Sequence, residues 1–119
     1  MKELALVFLG SGMGGALRYG VGLLCAYLWP MASFPVATMT VNVVGSFVIG
    51  TLFALPYHSF VLYMGLIGFC GGFTTFSALS GEGMALIRAG QGLLFALYAA
   101  SSVILGVCAA WGGFLLASK

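Results

Sequence analysis

An arginine lies inside an apolar run near the start of the chain. Arg18 belongs to the first hydrophobic segment, residues 4–29. A charge at the centre of a membrane-spanning helix costs at least about 2.5–3.5 kcal/mol, so such a residue normally faces a bundle interior or water. The guanidinium either reaches the membrane surface or pairs structurally, or it supplies a positive charge that attracts an anion. The position favours a positive charge that attracts an anion.

The second apolar segment carries polar side chains at helical spacing. Thr38, Asn42 and Ser46 are four residues apart and would form one stripe on a helix, with Thr40 off that stripe. An asparagine amide supplies two N–H donors, which suit a small dehydrated anion. The same amide suits an interhelical hydrogen bond that holds the fold together. Both interpretations of Asn42 stay open on this pattern alone.

The most unusual stretch is GGFTTFS, residues 71–77. Two glycines followed by two threonines inside an apolar segment predict a break near the middle of the third helix. A break frees carbonyls that can bind a cation and half-helix ends that can face an anion. The positive edge of the Phe76 ring could meet an anion, or the ring could simply pack in a kinked helix. Glu82 would balance Arg18 across a water-filled vestibule or lie in a loop.

Hydroxyl groups mark one face of the last apolar segment. Tyr98, Ser101 and Ser102 share that face by i+3 and i+4 spacing. They could solvate an ion or bond to the backbone, and the stripe by itself assigns neither role.

The elements that must position these residues follow from composition. The chain has 119 residues, 62% of them hydrophobic and only 5% charged, whereas a soluble domain carries roughly 25% charged residues. So few charges cannot cover a water-facing surface, and one membrane crossing needs about 20 apolar residues. The sequence therefore predicts a single all-α domain, residues 1–119, with four transmembrane helices. A net charge of +2 without a run of basic residues offers no positive patch for binding nucleic acid.

Turn residues separate the predicted helices. The apolar segments are residues 4–29, residues 36–55, a third from about residue 60, and residues 93–117. The turns contain Pro30, Ser33 and Pro35, then Pro56, Tyr57, His58 and Ser59, then Gly90, Gln91 and Gly92. The first segment is too long for a cleaved signal peptide and is expected to remain as a helix.

Few charges set the orientation in the membrane. Lys2 and Lys119 fall on one side and Arg88 on the other, so the positive-inside bias is weak. The chain could insert in both directions and form an antiparallel, dual-topology dimer, or a few lysines could suffice for one orientation. Charge counting leaves both open.

The small residues suit helix packing better than nucleotide binding. Residues 10–15, GSGMGG, match the dinucleotide pattern G-x-G-x-x-G, but no acidic residue follows about 20 positions on to bind a ribose. Small residues four apart instead clear one helical face for a second backbone. Three such pairs predict close contacts between helices: Gly10 with Gly14, Ser46 with Gly50, and Gly68 with Gly72.

Three motifs together resemble one membrane family. Residues 14–19 read GGALRY, residues 40–47 read TVNVVGSF and residues 68–77 read GFCGGFTTFS. In this order, along nearly the whole chain, they are similar to the Fluc (CrcB) fluoride channels. The resemblance implies a dual-topology dimer of four-helix subunits in a bacterial plasma membrane. Fluoride would leave the cell through it passively, which reduces fluoride toxicity in the cytoplasm.

The resemblance also implies roles for individual residues. Asn42 matches a pore asparagine, Arg18 an arginine near the vestibule, and Phe76 the first of two phenylalanines along the fluoride path. Ser77, Tyr98 and Ser102 match a polar track in the family, and Thr40 and Glu82 match positions at the vestibule. The resemblance also implies a structural Na+ site at the dimer centre. Its ligands would be the carbonyl oxygens of Gly71 and Thr74 of both subunits. The implied partners are fluoride, membrane lipid, and a second copy of the chain or a homologous subunit.

One position departs from the family pattern. The motif continues Phe-Ser-Thr-Phe in the family, but here Ala78 and Leu79 follow Ser77. Leucine has no polarised ring edge, so one of the two fluoride-binding positions on each path is in question. The homodimer could conduct with one aromatic per path, or the chain could be half of a heterodimer whose partner keeps the missing groups. A poorly conducting member or a non-conducting scaffold is the third alternative.

Other functions have less support in the sequence. Resemblance to a small multidrug transporter, which also has four helices, would require a carboxylate deep in the first helix, where this chain has Arg18. An enzyme is not indicated, because the single histidine, His58, lies in a predicted turn with no carboxylate nearby and no nucleophile–base pair is visible.

Overall fold

Long apolar helices make up the structure. The computed structural model describes residues 1–31, 34–56 and 58–119. Within them, four spans are long and apolar enough to cross a membrane: Lys2–Leu28, Val36–Phe53, Phe60–Arg88 and Gly92–Ala117. Helices are the expected outcome, because a backbone without water must satisfy its own polar groups. The predicted all-helical chain with four spans is confirmed, while the predicted turn residues Ser33 and Tyr57 lie outside the described residues.

The third span is the one with internal structure. Helices α1 (Lys2–Leu28) and α2 (Val36–Phe53) come first. The third span then contains a π-helix (Phe60–Cys70), a short helix α3 (Gly71–Phe73) and helix α4 (Phe76–Arg88), and helix α5 (Gly92–Ala117) ends the chain. Between α3 and α4, Thr74 and Thr75 have extended backbone, with ψ of 158° and 125°. These two residues are called the extended segment below.

The turn between α4 and α5 is closed by a glycine. Gly90 has φ of +77°, a left-handed conformation that glycine adopts without steric cost. Its N–H donates to the Ile87 carbonyl oxygen at 3.0 Å, and the Gln91 N–H donates to the Leu86 carbonyl oxygen at 2.8 Å. This pair of bonds is the Schellman ending of a helix. The predicted turn at residues 90–92 is therefore present, although Gly92 already belongs to α5.

The helices pack in two pairs. Helix α1 lies mainly against the first half of the third span, and α2 lies mainly against α5. A Cβ atom on Gly14 would strike the carbonyl oxygen of Phe69, and one on Gly50 would strike that of Ala110. The backbones therefore touch directly at these glycines, as the spacing of small residues predicts.

Apolar side chains cover the outside. Phe8, Ile104 and Trp111 are examples of many large apolar residues that are exposed in the single chain. Among the residues that the structure describes, few apolar ones are buried: Val41, Leu66, Cys70, Phe73, Leu86 and Tyr98. Such a surface suits lipid, where helix association depends on close packing and hydrogen bonds rather than on hydrophobic burial.

Candidate functional site

Asn42 on α2 binds the main chain of Thr75 at both of its polar groups. The side-chain Oδ1 accepts a hydrogen bond from the Thr75 N–H at 3.0 Å, and Nδ2 donates to the Thr75 carbonyl oxygen at 3.3 Å. These main-chain groups are available because the backbone is extended at this point and makes no intrahelical hydrogen bonds. The interhelical bond that the sequence left open for Asn42 is therefore present. An amide nitrogen carries two hydrogens, so one donor remains for another acceptor.

A cavity of about 300 Å³ lies beside this contact and is called the Asn42 cavity. Its lining includes four predicted site residues together with the residue that departs from the family pattern: Asn42, Thr74, Phe76, Ser102 and Leu79. Thr74, Phe76 and Leu79 belong to the third span, and tertiary packing brings Asn42 from α2 and Ser102 from α5 to them. The Phe76 ring is 77% exposed in the single chain and leaves its edge available for contact.

Arg18 on α1 contacts α3 just before the extended segment. Its Nε–H donates to the carbonyl oxygen of Gly72 at 3.2 Å. The guanidinium also lines a second cavity of about 260 Å³, called the Arg18 cavity, together with Thr38 and Glu82. Among the described residues the one ion pair joins the N-terminal amine to a neighbouring carboxylate. Arg18 and Glu82 therefore share a cavity without bonding to each other.

Glu82 lies within α4, and not in a loop, and accepts two hydrogen bonds. The Thr38 hydroxyl donates to Oε2 and the Tyr98 hydroxyl to Oε1, each at 2.9 Å. Tyr98 is fully buried, and its ring meets that of Phe34 edge-on at 5.4 Å. The carboxylate thus joins α2, α4 and α5. Thr38 was not predicted as a site residue, although its place one turn before Asn42 on the same helical face was the available signal.

Four predicted site residues line neither cavity: Gly71, Tyr98, Thr40 and Ser77. Among the described residues, the side chains of the last two also make no hydrogen bond with the rest of the predicted site. Thr40 is exposed on α2 and is not part of either lining in the described chain. Ser77 is exposed near the start of α4, and its Oγ lies 3.2 Å from the Oγ1 of Thr75. Within one chain, these two side chains do not join the other predicted residues.

The hydroxyl stripe of α5 divides between different partners. Tyr98 bonds to Glu82, whereas Ser102 lines the Asn42 cavity and donates to the sulfur of Met39 at 3.6 Å. Ser101 bonds back to the carbonyl oxygens of its own helix. The predicted common face therefore serves two separate sites.

Three main-chain oxygens in and just before the extended segment have no hydrogen-bond donor among the described residues, those of Gly71, Phe73 and Thr74. In a continuous helix the Gly71 oxygen would accept from the Thr75 N–H, which binds Asn42 instead. The Thr74 oxygen would accept from the Ala78 N–H, which binds the Thr75 Oγ1 at 3.1 Å. Carbonyl oxygens freed in this way are ligands for sodium in membrane proteins.

Comparison with known proteins gives this arrangement a family. The family described as CrcB-like protein, Camphor Resistance (CrcB), matches residues 5–114. The chain belongs to the CrcB family. Three relatives named fluoride-specific ion channel FluC come from Flavobacterium psychrophilum, Gloeobacter violaceus and Coxiella burnetii strain CbuK_Q154, and are 38%, 40% and 43% identical to this chain. The alignments cover 100%, 98% and 93% of this chain and 99%, 97% and 94% of the respective relatives.

Family and spans together give the location of this CrcB chain. Its relatives are bacterial and its four apolar helices are long enough to cross a bilayer, so it is a multi-pass protein of the bacterial cell membrane. The three CrcB motifs that are separate in sequence meet in space. Arg18 from the first and Asn42 from the second both bond to main-chain oxygens of the third, at Gly72 and Thr75.

Proposed function

We propose that this CrcB-family chain is a fluoride-selective channel through which fluoride leaves the cell passively, which lowers fluoride toxicity in the cytoplasm. Its relatives carry the name fluoride-specific ion channel. The observation that carries the proposal is the Asn42 cavity. There an amide donor, an aromatic ring and a hydroxyl from three different spans surround one space.

The Asn42 cavity offers the groups that a small anion needs when it loses water. Asn42 has one amide hydrogen free, Ser102 a hydroxyl that donates here only to the weakly accepting sulfur of Met39, and Phe76 the positive edge of its ring. Because the Asn42 amide is bound to Thr75 through both its oxygen and its nitrogen, it cannot turn away, and its remaining donor is held in place. Chloride is larger and would be excluded by a narrow path whose walls are set by backbone contacts between helices.

The Arg18 cavity would act as the vestibule of the path. A guanidinium there lowers the cost of bringing an anion into a low-dielectric region. Glu82 shares the cavity, and both of its oxygens accept hydrogen bonds, from Thr38 and Tyr98. These bonds direct the carboxylate charge toward two donors, so the attraction from Arg18 is the stronger influence on an entering anion.

A partner subunit would complete the structure around the extended segment. Backbone that is not helical is tolerated at membrane depth only where protein or a water-filled cavity covers it. In the single chain, Gly71, Phe76 and Ser77 beside the extended segment are exposed. We therefore propose that the third helix is broken there and that an antiparallel, dual-topology dimer covers the break. The weak bias of lysine and arginine between the two sides supports insertion in both orientations.

The carbonyl oxygens of Gly71 and Thr74 fit a structural sodium ion at the centre of that dimer. Both lack donors in the described chain because the N–H groups that would reach them are bound elsewhere. Two oxygens from one chain are too few to surround a cation, so the partner's pair would be needed as well. When bound, the ion would supply a fixed positive charge between the subunits and offset the repulsion between anions.

Leu79 gives a specific reason to keep a heterodimer as the second candidate. It lines the Asn42 cavity where the family pattern has a phenylalanine, so this chain supplies one aromatic ring to the cavity and not two. A homologous partner with the full motif could supply the missing ring on a shared path.

The test is anion efflux from liposomes that contain this chain alone. Release of fluoride without release of chloride supports a homodimeric channel. If a well-folded dimer releases neither anion, the homodimeric version is wrong and a heteromeric or scaffold role takes its place. Equal release of both anions contradicts fluoride selectivity.

A further inference from the structure

One face of α1 follows the third span up to the extended segment. Gly10, Gly14 and Arg18 are spaced by four residues and so share a face of α1. The Cα of Gly10 lies beside Gly68, and a Cβ on Gly14 would strike the carbonyl oxygen of Phe69. The next residue on this face, Arg18, donates from Nε to the Gly72 carbonyl oxygen at 3.2 Å. The close backbone contact therefore ends in a hydrogen bond at the end of α3.

That bond satisfies the Gly72 carbonyl oxygen, which has no N–H donor from its own helix. In a continuous helix the Gly72 oxygen would accept from the N–H of Phe76. The extended segment prevents this, and among the described residues Arg18 is the donor that the Gly72 oxygen has. The position is also the carboxyl end of the helical run, where a positive charge is favourable.

Residues 71–75 contain both held and free carbonyl oxygens. The Gly72 oxygen is held by Arg18 and the Thr75 oxygen by Asn42, while those of Gly71, Phe73 and Thr74 have no donor among the described residues. We infer that Arg18 is a positioning residue: through Nε it holds the end of α3 and, with Asn42, sets where the free carbonyl oxygens of Gly71 and Thr74 point. This role depends on a donor at Nε, whereas attraction of an anion depends on charge.

Two substitutions of similar shape separate the donor from the charge. In Arg18→Gln the amide nitrogen stands the same number of bonds from Cα as Nε, so it keeps the donor and loses the charge. In Arg18→Met a methyl group stands there, so both are lost. Arg88→Gln, at the exposed end of α4, is the control for loss of an arginine charge elsewhere.

The measurement is hydrogen exchange of peptides that contain Thr74, Thr75 and Ala78, on the full chain in liposomes. Exchange should be about fivefold faster in Arg18→Met than in Arg18→Gln, the factor that one ordinary hydrogen bond represents. Arg88→Gln should exchange like the unchanged protein. Thermal unfolding is measured alongside in sodium and in choline, and the stabilisation by sodium should be lost in Arg18→Met and kept in Arg18→Gln.

Equal exchange in Arg18→Met and Arg18→Gln would overturn the inference, because the donor would then have no effect. If Arg18→Met does not fold, Arg18→Lys replaces it. If Arg18→Lys exchanges at the rate of the unchanged protein and Arg18→Gln exchanges faster, the positive charge of Arg18 and not its Nε donor controls this segment. The measurement of stabilisation by sodium rests on the proposed function, but the hydrogen-exchange measurement does not. A difference in exchange without fluoride efflux from the unchanged protein would leave the positioning role intact and refute the homodimeric channel.

Discussion

Asn42 holds Thr75 by its N–H and its carbonyl oxygen at once. One side chain on α2 therefore satisfies both main-chain groups at the point where the third span leaves helical geometry. The same amide keeps one donor toward the cavity that Phe76 also lines. A structural bond and a binding site are thus combined in one residue, which makes its substitution informative about both.

Replacing Asn42 with alanine is expected to lower stability as well as to abolish fluoride efflux. The change leaves two main-chain groups of Thr75 without their partner, and an unsatisfied buried group costs about 1–3 kcal/mol. Thermal unfolding and liposome efflux measure the two effects. Val44→Ala, at an exposed position on the same helix, is the control. A loss of stability in Asn42→Ala no larger than in this control would contradict the paired contact.

Phe76→Ile should reduce fluoride efflux on the order of tenfold and leave assembly intact. The change removes a ring edge worth about 1.5 kcal/mol to a partner, while isoleucine keeps an apolar side chain at this position, which is 77% exposed in the single chain. Phe8→Ile is a matched control, since Phe8 is also 77% exposed but lies on α1 away from both cavities. Similar efflux in the two variants would refute the role of the Phe76 ring.

Leu79→Phe should increase fluoride efflux relative to chloride. The substitution places a second aromatic ring in the lining of the Asn42 cavity and narrows it. Leu79→Met, similar in size but without a ring, separates the ring from a change in packing. Efflux that appears only in Leu79→Phe would indicate that the natural chain depends on a partner with the full motif. A fall in efflux in Leu79→Phe would show that the leucine is adapted to this path.

Gly14→Ala should destabilise the protein by about 1–3 kcal/mol, the usual cost of forcing extra volume into a packed interior. Its Cβ would strike the backbone of Phe69, so α1 and the third span would have to separate. Gly12→Ala tests the same substitution where no atom lies within 4 Å of the added Cβ. Equal thermal midpoints for the two variants would contradict direct backbone contact at Gly14.

The number and limits of the spans could be predicted from the sequence because they depend on local properties. Apolar runs of membrane length must become helices where no water can satisfy the backbone. The turn at Gly90 follows from the one residue type that accepts a positive φ without strain. The close contacts at Gly14 and Gly50 follow from small residues at helical spacing. Each of these predictions needs only the pattern within one segment.

The partners of the polar side chains were decided by the tertiary structure alone. The sequence indicated that Asn42 and Arg18 matter, but it could not show that they bond to Thr75 and Gly72, or that Thr38 bonds to Glu82 while Thr40 is exposed. A hydrogen bond requires two atoms about 3 Å apart, and that distance between residues far apart in the chain depends on how the helices are placed. The helix spacing is in turn set by backbone contacts at glycines, so the site exists only once the spans have packed.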